Sequence, residues 1–184
     1  MQKKNWFPII LITTAAVTAG ATVLLAALYH FHPQGWLLSA AITFGTTCYH
    51  FSMRLLVGGV VPRLIGRTRL EHRRWFCQRS FEPRLYAMLK VKQWKDHMPT
   101  YDPASFSLKH NSLEQIVHNS CISEAVHETI ILFSFLPLCA VPFWGALPVF
   151  LITSILAALF DGSFVIMQRY NRPRLLRIPE KRSL

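Results

Sequence analysis

Charge is scarce in this chain, and acidic charge scarcer still. Of its 184 residues only 16% are charged, against roughly a quarter in soluble domains, and 9 Asp and Glu stand against 20 Lys and Arg for a net charge of +11. Residues 131–160, ILFSFLPLCAVPFWGALPVFLITSILAALF, carry no charge at all. Such a distribution argues against an ordinary soluble surface. The four cysteines (48, 77, 121 and 139) form no CxxC pair, which argues against a disulfide framework in a reduced compartment and against a zinc site. No metal is expected. A serine nucleophile would need an elbow motif, and none is present.

A basic balance by itself could signal nucleic acid. Joined to long apolar runs it points instead to a membrane protein whose cations meet anionic lipid, so a membrane partner is expected and nucleic acid is not. A spanning helix needs about 20 apolar residues. Residues 6–29 and 35–61 are both long enough, and the first is too long for the apolar core of a cleaved signal. The apolar block from Thr129 to Met167 has room for two more helices, at about 125–143 and 147–168, with the turn-formers Pro142, Gly145 and Pro148 between them.

The cations test this layout through the positive-inside rule. Two lie at the N-terminus, Arg54 sits near the end of the second span, ten fall between Arg63 and Lys95, and Lys109 and six from Arg169 to Arg182 complete the 20. The proposed outer turns hold none. The expectation is an all-α integral membrane protein with four transmembrane helices and both termini cytoplasmic. Its parts are an N-terminal hairpin (1–61), a basic cytoplasmic or interfacial segment (62–124), a C-terminal hairpin (125–168) and a basic tail (169–184).

Between spans two and three, Arg and Lys alternate with Leu, Trp, Phe and Tyr through residues 63–98, a pattern suited to an amphipathic helix lying in the interface. Lipid snorkelling accounts for most of these cations. Pro99 and Pro103 end that helix, and Ser112 with Gln115 forms a capping box for the next. On the new helix His118 and His127, nine residues apart, point to opposite sides and cannot share an ion. Glu124 and His127 are neighbours at i,i+3. A carboxylate orienting an imidazole makes a reasonable general base, and an interfacial capping cluster is the alternative. In span two, His50 and Arg54 are at i,i+4. Arg54 either snorkels or grips a phosphate or carboxylate at the cytoplasmic mouth.

Three stretches carry a resemblance. FEPRLYAMLKVKQWKDHMP, VHNSCISEAVHETI and VIMQRYNRPRLLRI follow one another along the chain, the run QRYNRPRL in the last being the most distinctive. Together they resemble the glycosyl-4,4'-diaponeurosporenoate acyltransferase family, membrane enzymes of carotenoid synthesis, over about residues 76–178. The first two spans fall outside the match, which suggests a relative rather than the carotenoid enzyme itself. The resemblance implies transfer of a fatty acyl group from a cytoplasmic thioester, acyl-CoA or acyl carrier protein, to a sugar hydroxyl of a glycolipid acceptor in the bacterial cell membrane. No further cofactor is implied. In that reading His127 is the base, Glu124 orients it, and Arg169, Asn171 or Trp94 holds the oxyanion. Lys95, Gln168, Tyr170, Arg172, Arg54 and His50 would contact substrate. A non-catalytic scaffold or lipid-binding subunit with the same fold is the competing expectation, and a lipid transporter a third.

Overall fold

The computed structural model describes residues 6–177, and every element among them is helical. Lys3, Lys4 and residues 178–184 of the expected tail lie outside the described residues. The long helices are α1 (Phe7–Phe31) and α2 (Gly35–Ile65). Short helices α3 (Glu82–Met88) and α4 (Val91–Trp94) follow, then α5 (Leu113–Phe133), the one-turn α6 (Val141–Trp144) and α7 (Leu147–Leu175).

Three stretches are long and apolar enough to cross a membrane: Phe7–Phe31, Leu113–Trp144 and Leu147–Leu175. Four were expected. At 31 residues α2 has the length, but His50, Arg54, Arg63 and its Ser and Thr residues dilute its hydropathy. Length and composition together therefore support three spans. Burial patterns agree with a lipid environment: only Leu11 and Thr18 of α1 are buried, while Ile12, Val17, Val23 and Leu24 are more than half exposed. In water so continuous an apolar face would be costly. Polar side chains in these helices are satisfied locally. Thr13, Thr18 and Thr22 each donate to the carbonyl four residues back at 2.7–2.8 Å, as Thr43, Thr46 and Thr47 do on α2 at 2.8–2.9 Å, so these six hydroxyls need no water in hydrocarbon.

The chain forms two compact units, Met1–Gly59 with Thr129–Phe160 and Val60–Glu128 with Asp161–Leu184. In the first, the Tyr49 hydroxyl donates to the Phe133 carbonyl at 2.9 Å. A Cβ on Gly45 would lie 3.4 Å from Thr22, so the small residue lets α1 and α2 approach closely. Gly145, at φ +63°, makes the reversal before α7.

In the second unit, the expected continuous amphipathic helix over 63–98 is instead a series of short pieces: single turns at Leu70–His72 and Arg74–Phe76, then α3, α4 and a turn at Lys95–His97. Lys90 interrupts α3 and α4 at φ +50°, and the carbonyls of Trp75, Phe76 and Cys77 serve arginine side chains from α7 rather than a helix. The capping box is present: Gln115 Oε1 accepts from the Ser112 amide at 2.9 Å, and Ser112 Oγ from the Gln115 amide at 3.2 Å. The last span was expected to end near 168, with a basic tail beyond it. The structure continues α7 through Leu175. Pro173 removes the bond its missing N–H would have made to the Arg169 carbonyl, and the helix ends two residues later.

Candidate functional site

Four charged side chains in the second unit meet in one network, drawn from the three stretches singled out in the sequence. Glu82 opens α3, Glu124 lies in α5, and Arg169 and Arg172 are one turn apart on α7. Glu124 is fully buried. Its Oε1 accepts from Arg169 and its Oε2 from Arg172, each at 2.5 Å. Arg169 also donates Nε and Nη2 to Glu82 Oε1 at 2.8 and 2.6 Å, Nη1 to the Trp75 carbonyl at 3.0 Å and Nη2 to the Cys77 carbonyl at 3.2 Å. A guanidinium has five N–H donors, and these five bonds use them all. Arg172 binds the Phe76 carbonyl at 2.9 Å and the Ser120 carbonyl at 3.1 Å. Two carboxylates thus balance two guanidiniums, so burial leaves no net charge uncompensated.

The remaining oxygen of Glu82 accepts from the Tyr86 hydroxyl at 2.8 Å. Burial, and then the bond to the Glu82 carboxylate, raise the Tyr86 pKa well above the ordinary phenol value, so Tyr86 stays a neutral donor. Its ring meets that of Tyr170 edge-on, centroids 5.4 Å apart. Val91 completes this small core, with Trp94 and Ile166 packed against it.

His127 has a different carboxylate from the one its spacing suggested. Its Nδ1 lies 2.9 Å from Oδ1 of Asp161 on α7, and its ring stacks on Phe164 at 4.4 Å, 4° from parallel. Asp161 is 1% exposed. The neighbour at i,i+3, Glu124, is committed to the two arginines. A buried carboxylate at Nδ1 holds one tautomer and leaves Nε2 to act as acceptor.

Against the arginine network, a cavity of about 330 Å³ has Trp75, Phe81, Leu85 and Ile166 among its apolar walls, with Glu82, Glu128 and Arg169 among its polar ones. Trp75 donates its indole N–H to both oxygens of Glu128 at 2.9 Å.

The other expected residues are distributed as follows. Gln168 donates to Ser123 Oγ at 3.2 Å. Trp94 spends its N–H on the Leu89 carbonyl at 3.0 Å. Lys95 pairs with Asp96. Asn171 is half-buried between Tyr170 and Arg172 on α7. His50 and Arg54 belong to the first unit, where His50 is buried and Arg54 donates to the His50 carbonyl at 2.9 Å and the Ala157 carbonyl at 3.2 Å. Asp161, Glu82 and Trp75 were missed as site residues. An acid inside an apolar span is the one signal for Asp161; Glu82 is the one Glu of a stretch that carries the family resemblance, and nothing local marks Trp75.

A family model described as glycosyl-4,4'-diaponeurosporenoate acyltransferase matches residues 72–181, which takes in every residue of the network and of the His127–Asp161 pair. Neither the curated proteins nor the solved structures compared with the chain match it. With more than half of its length covered by that match, the chain belongs to the glycosyl-4,4'-diaponeurosporenoate acyltransferase family.

Proposed function

We propose that this chain is a membrane acyltransferase that moves a fatty acyl group from a cytoplasmic thioester, acyl-CoA or acyl carrier protein, to a sugar hydroxyl of a glycolipid. The observation that carries the reading is the His127–Asp161 pair at 2.9 Å, an imidazole oriented by a buried carboxylate within the region of the family match. In this mechanism Nε2 of His127 takes the hydroxyl proton as the sugar oxygen attacks the thioester carbonyl. The C–S bond then breaks, and the imidazolium returns its proton to the departing thiolate. Asp161 replaces Glu124 as the orienting group. Of the three oxyanion donors expected, Arg169 and Trp94 have their N–H groups on protein acceptors. Asn171 is left for that role. Glu124, Arg169 and Arg172 hold the frame on which the site is built.

The same proposal treats α2 as a fourth span, with both termini and the 62–128 segment on the cytoplasmic side of the cell membrane. The segregation of Lys and Arg supports it. A non-catalytic lipid-binding subunit is the second reading, favoured by one observation: the fully buried, family-matched Glu124 spends both carboxylate oxygens on Arg169 and Arg172 inside the protein. The deciding assay follows transfer of labelled acyl groups from acyl-CoA and from acyl carrier protein to extracted membrane glycolipid. Turnover that is lost in His127→Ala supports the enzyme. Equal background in the wild-type chain and the variant, with both donors, leaves the binding subunit.

A further inference from the structure

On α3, α4 and the end of α7 lies a second cavity, about 530 Å³, whose charged lining among the described residues is of one sign. Lys90, Lys92, Arg174 and Arg177 face it, with Gln78 and Gln93, and no carboxylate among the described residues lines it. In a chain with 9 acids, two of them, Glu82 and Glu124, spent on neutralising arginines nearby, four cations around one hollow form a strong local attraction for anions. Two of them are positioned by the fold. The Arg174 guanidinium lies 3.5 Å from the centroid of the Tyr170 ring and donates to the Tyr170 carbonyl at 2.5 Å, and Tyr170 is itself locked edge-on against Tyr86. Lys90 sits in the left-handed region, φ +50°, a conformation that side chains other than Gly, Asn and Asp rarely adopt. It turns the chain between α3 and α4 so that Lys90 and Lys92 both reach the cavity.

We propose that this cavity is a binding site for a phosphate ester carrying at least two negative charges. The volume falls in the range of small-molecule sites. The planar forks of Arg174 and Arg177 suit phosphate oxygens, while the lysines act as point charges. Tyr86 is a wall of this cavity and also of the apolar one that holds Glu128 and Arg169. A ligand held here by its phosphates therefore shares Tyr86 with a neighbouring, largely apolar chamber. This assignment rests on the proposed acyl transfer only for its purpose, since it would make the cavity the dock for the phosphorylated end of the donor. Binding itself does not depend on turnover.

The test is calorimetry on the full chain in nanodiscs. Free coenzyme A, which has no acyl group to transfer, and pyrophosphate are titrated into discs of zwitterionic lipid. A third arm compares zwitterionic discs with discs containing phosphatidic acid, whose headgroup carries the same phosphate monoester. Saturable binding of coenzyme A is expected, competed by pyrophosphate and weakened by added salt. The double variant Lys90→Gln/Lys92→Gln, and separately Arg174→Gln, should weaken it by roughly tenfold or more, the worth of a charge-assisted contact. His127→Ala should bind as the wild type does, which keeps failure of the site distinct from failure of the catalytic reading. If coenzyme A binds only in zwitterionic discs and phosphatidic acid blocks it, the site stands and a membrane lipid is its second source of phosphate. Binding that is absent in every arm, or unchanged in both cation variants while their melting temperatures match the wild type, overturns the proposal.

Discussion

Nδ1 of His127 lies 2.9 Å from Oδ1 of Asp161, a residue 34 positions further along the chain and almost completely buried. The pair brings the only acid in the last apolar helix to the one histidine that the family resemblance had marked. If His127 is the general base, His127→Ala should lower turnover by roughly 10²–10⁴. Asp161→Asn keeps the shape of the pair but removes the charge that supports an imidazolium, and should lower turnover as well. Rates measured with the folded fraction monitored by size exclusion check both. A His127→Ala enzyme with wild-type turnover would remove the base assignment.

Glu124 should behave as a structural residue. Glu124→Gln leaves two buried guanidiniums sharing a neutral amide, and breaking a buried pair in this way costs about 3–5 kcal/mol. The expected outcome is a large drop in melting temperature and in detergent-extracted yield. A stable protein with a selective loss of turnover would instead return Glu124 to a catalytic part.

Arg169→Lys tests the use of all five guanidinium donors. Lysine keeps the charge but has three donors and no planar fork, so it cannot span Glu82, Glu124 and the carbonyls of Trp75 and Cys77 together. Destabilisation comparable to Arg169→Ala is expected in thermal melts. Wild-type stability in Arg169→Lys would show that charge alone suffices.

Glu71 gives a pH dependence whose sign can be stated. Its carboxylate accepts from His118 Nδ1 at 3.0 Å. Burial pushes its pKa up, but the His118 bond, a backbone amide and the nearby imidazoles outweigh this and hold it below its ordinary value of 4.5. A depressed carboxylate contributes stability that is fully present above about pH 4.5 and is lost as pH falls through the lower folded value. Melting temperature against pH should therefore fall less steeply below pH 4.5 in Glu71→Gln than in the wild type. Parallel curves would contradict the linkage.

Topology can be read by labelling a chain whose four cysteines have been replaced. A cysteine at Phe143, which is 79% exposed in the turn before α7, should react with an impermeant reagent added outside intact cells. A cysteine at Lys109 should react only after lysis. The opposite pattern would reverse the orientation.

Much of the fold was legible because lipid imposes a simple rule on sequence. A span must be apolar where it crosses hydrocarbon, so α1, the uncharged run 131–160 and the first half of α7 announce themselves by composition, and the Ser112–Gln115 cap marks the start of α5. Helix α2 was less clear, since its own polar residues blur the signal by which it would be recognised. The 63–98 segment misled because alternating cations and aromatics satisfy a helical pattern, while the carbonyls at Trp75, Phe76 and Cys77 are drawn out of helical pairing by arginines some 90 residues away.

By itself the sequence determined the helical class, the apolar spans, the segregation of cations and, through three short stretches, the family. All of these are local properties, set by a side chain's own polarity and by spacing within a few turns. Only the tertiary structure decided which carboxylate serves which cation. The i,i+3 spacing offered Glu124 to His127, but folding presents two guanidiniums that would be far more costly to leave unpaired than an imidazole. Glu124 goes to Arg169 and Arg172, and His127 takes Asp161. That choice is made by desolvation across long separations in the chain, and no local pattern of residues records it.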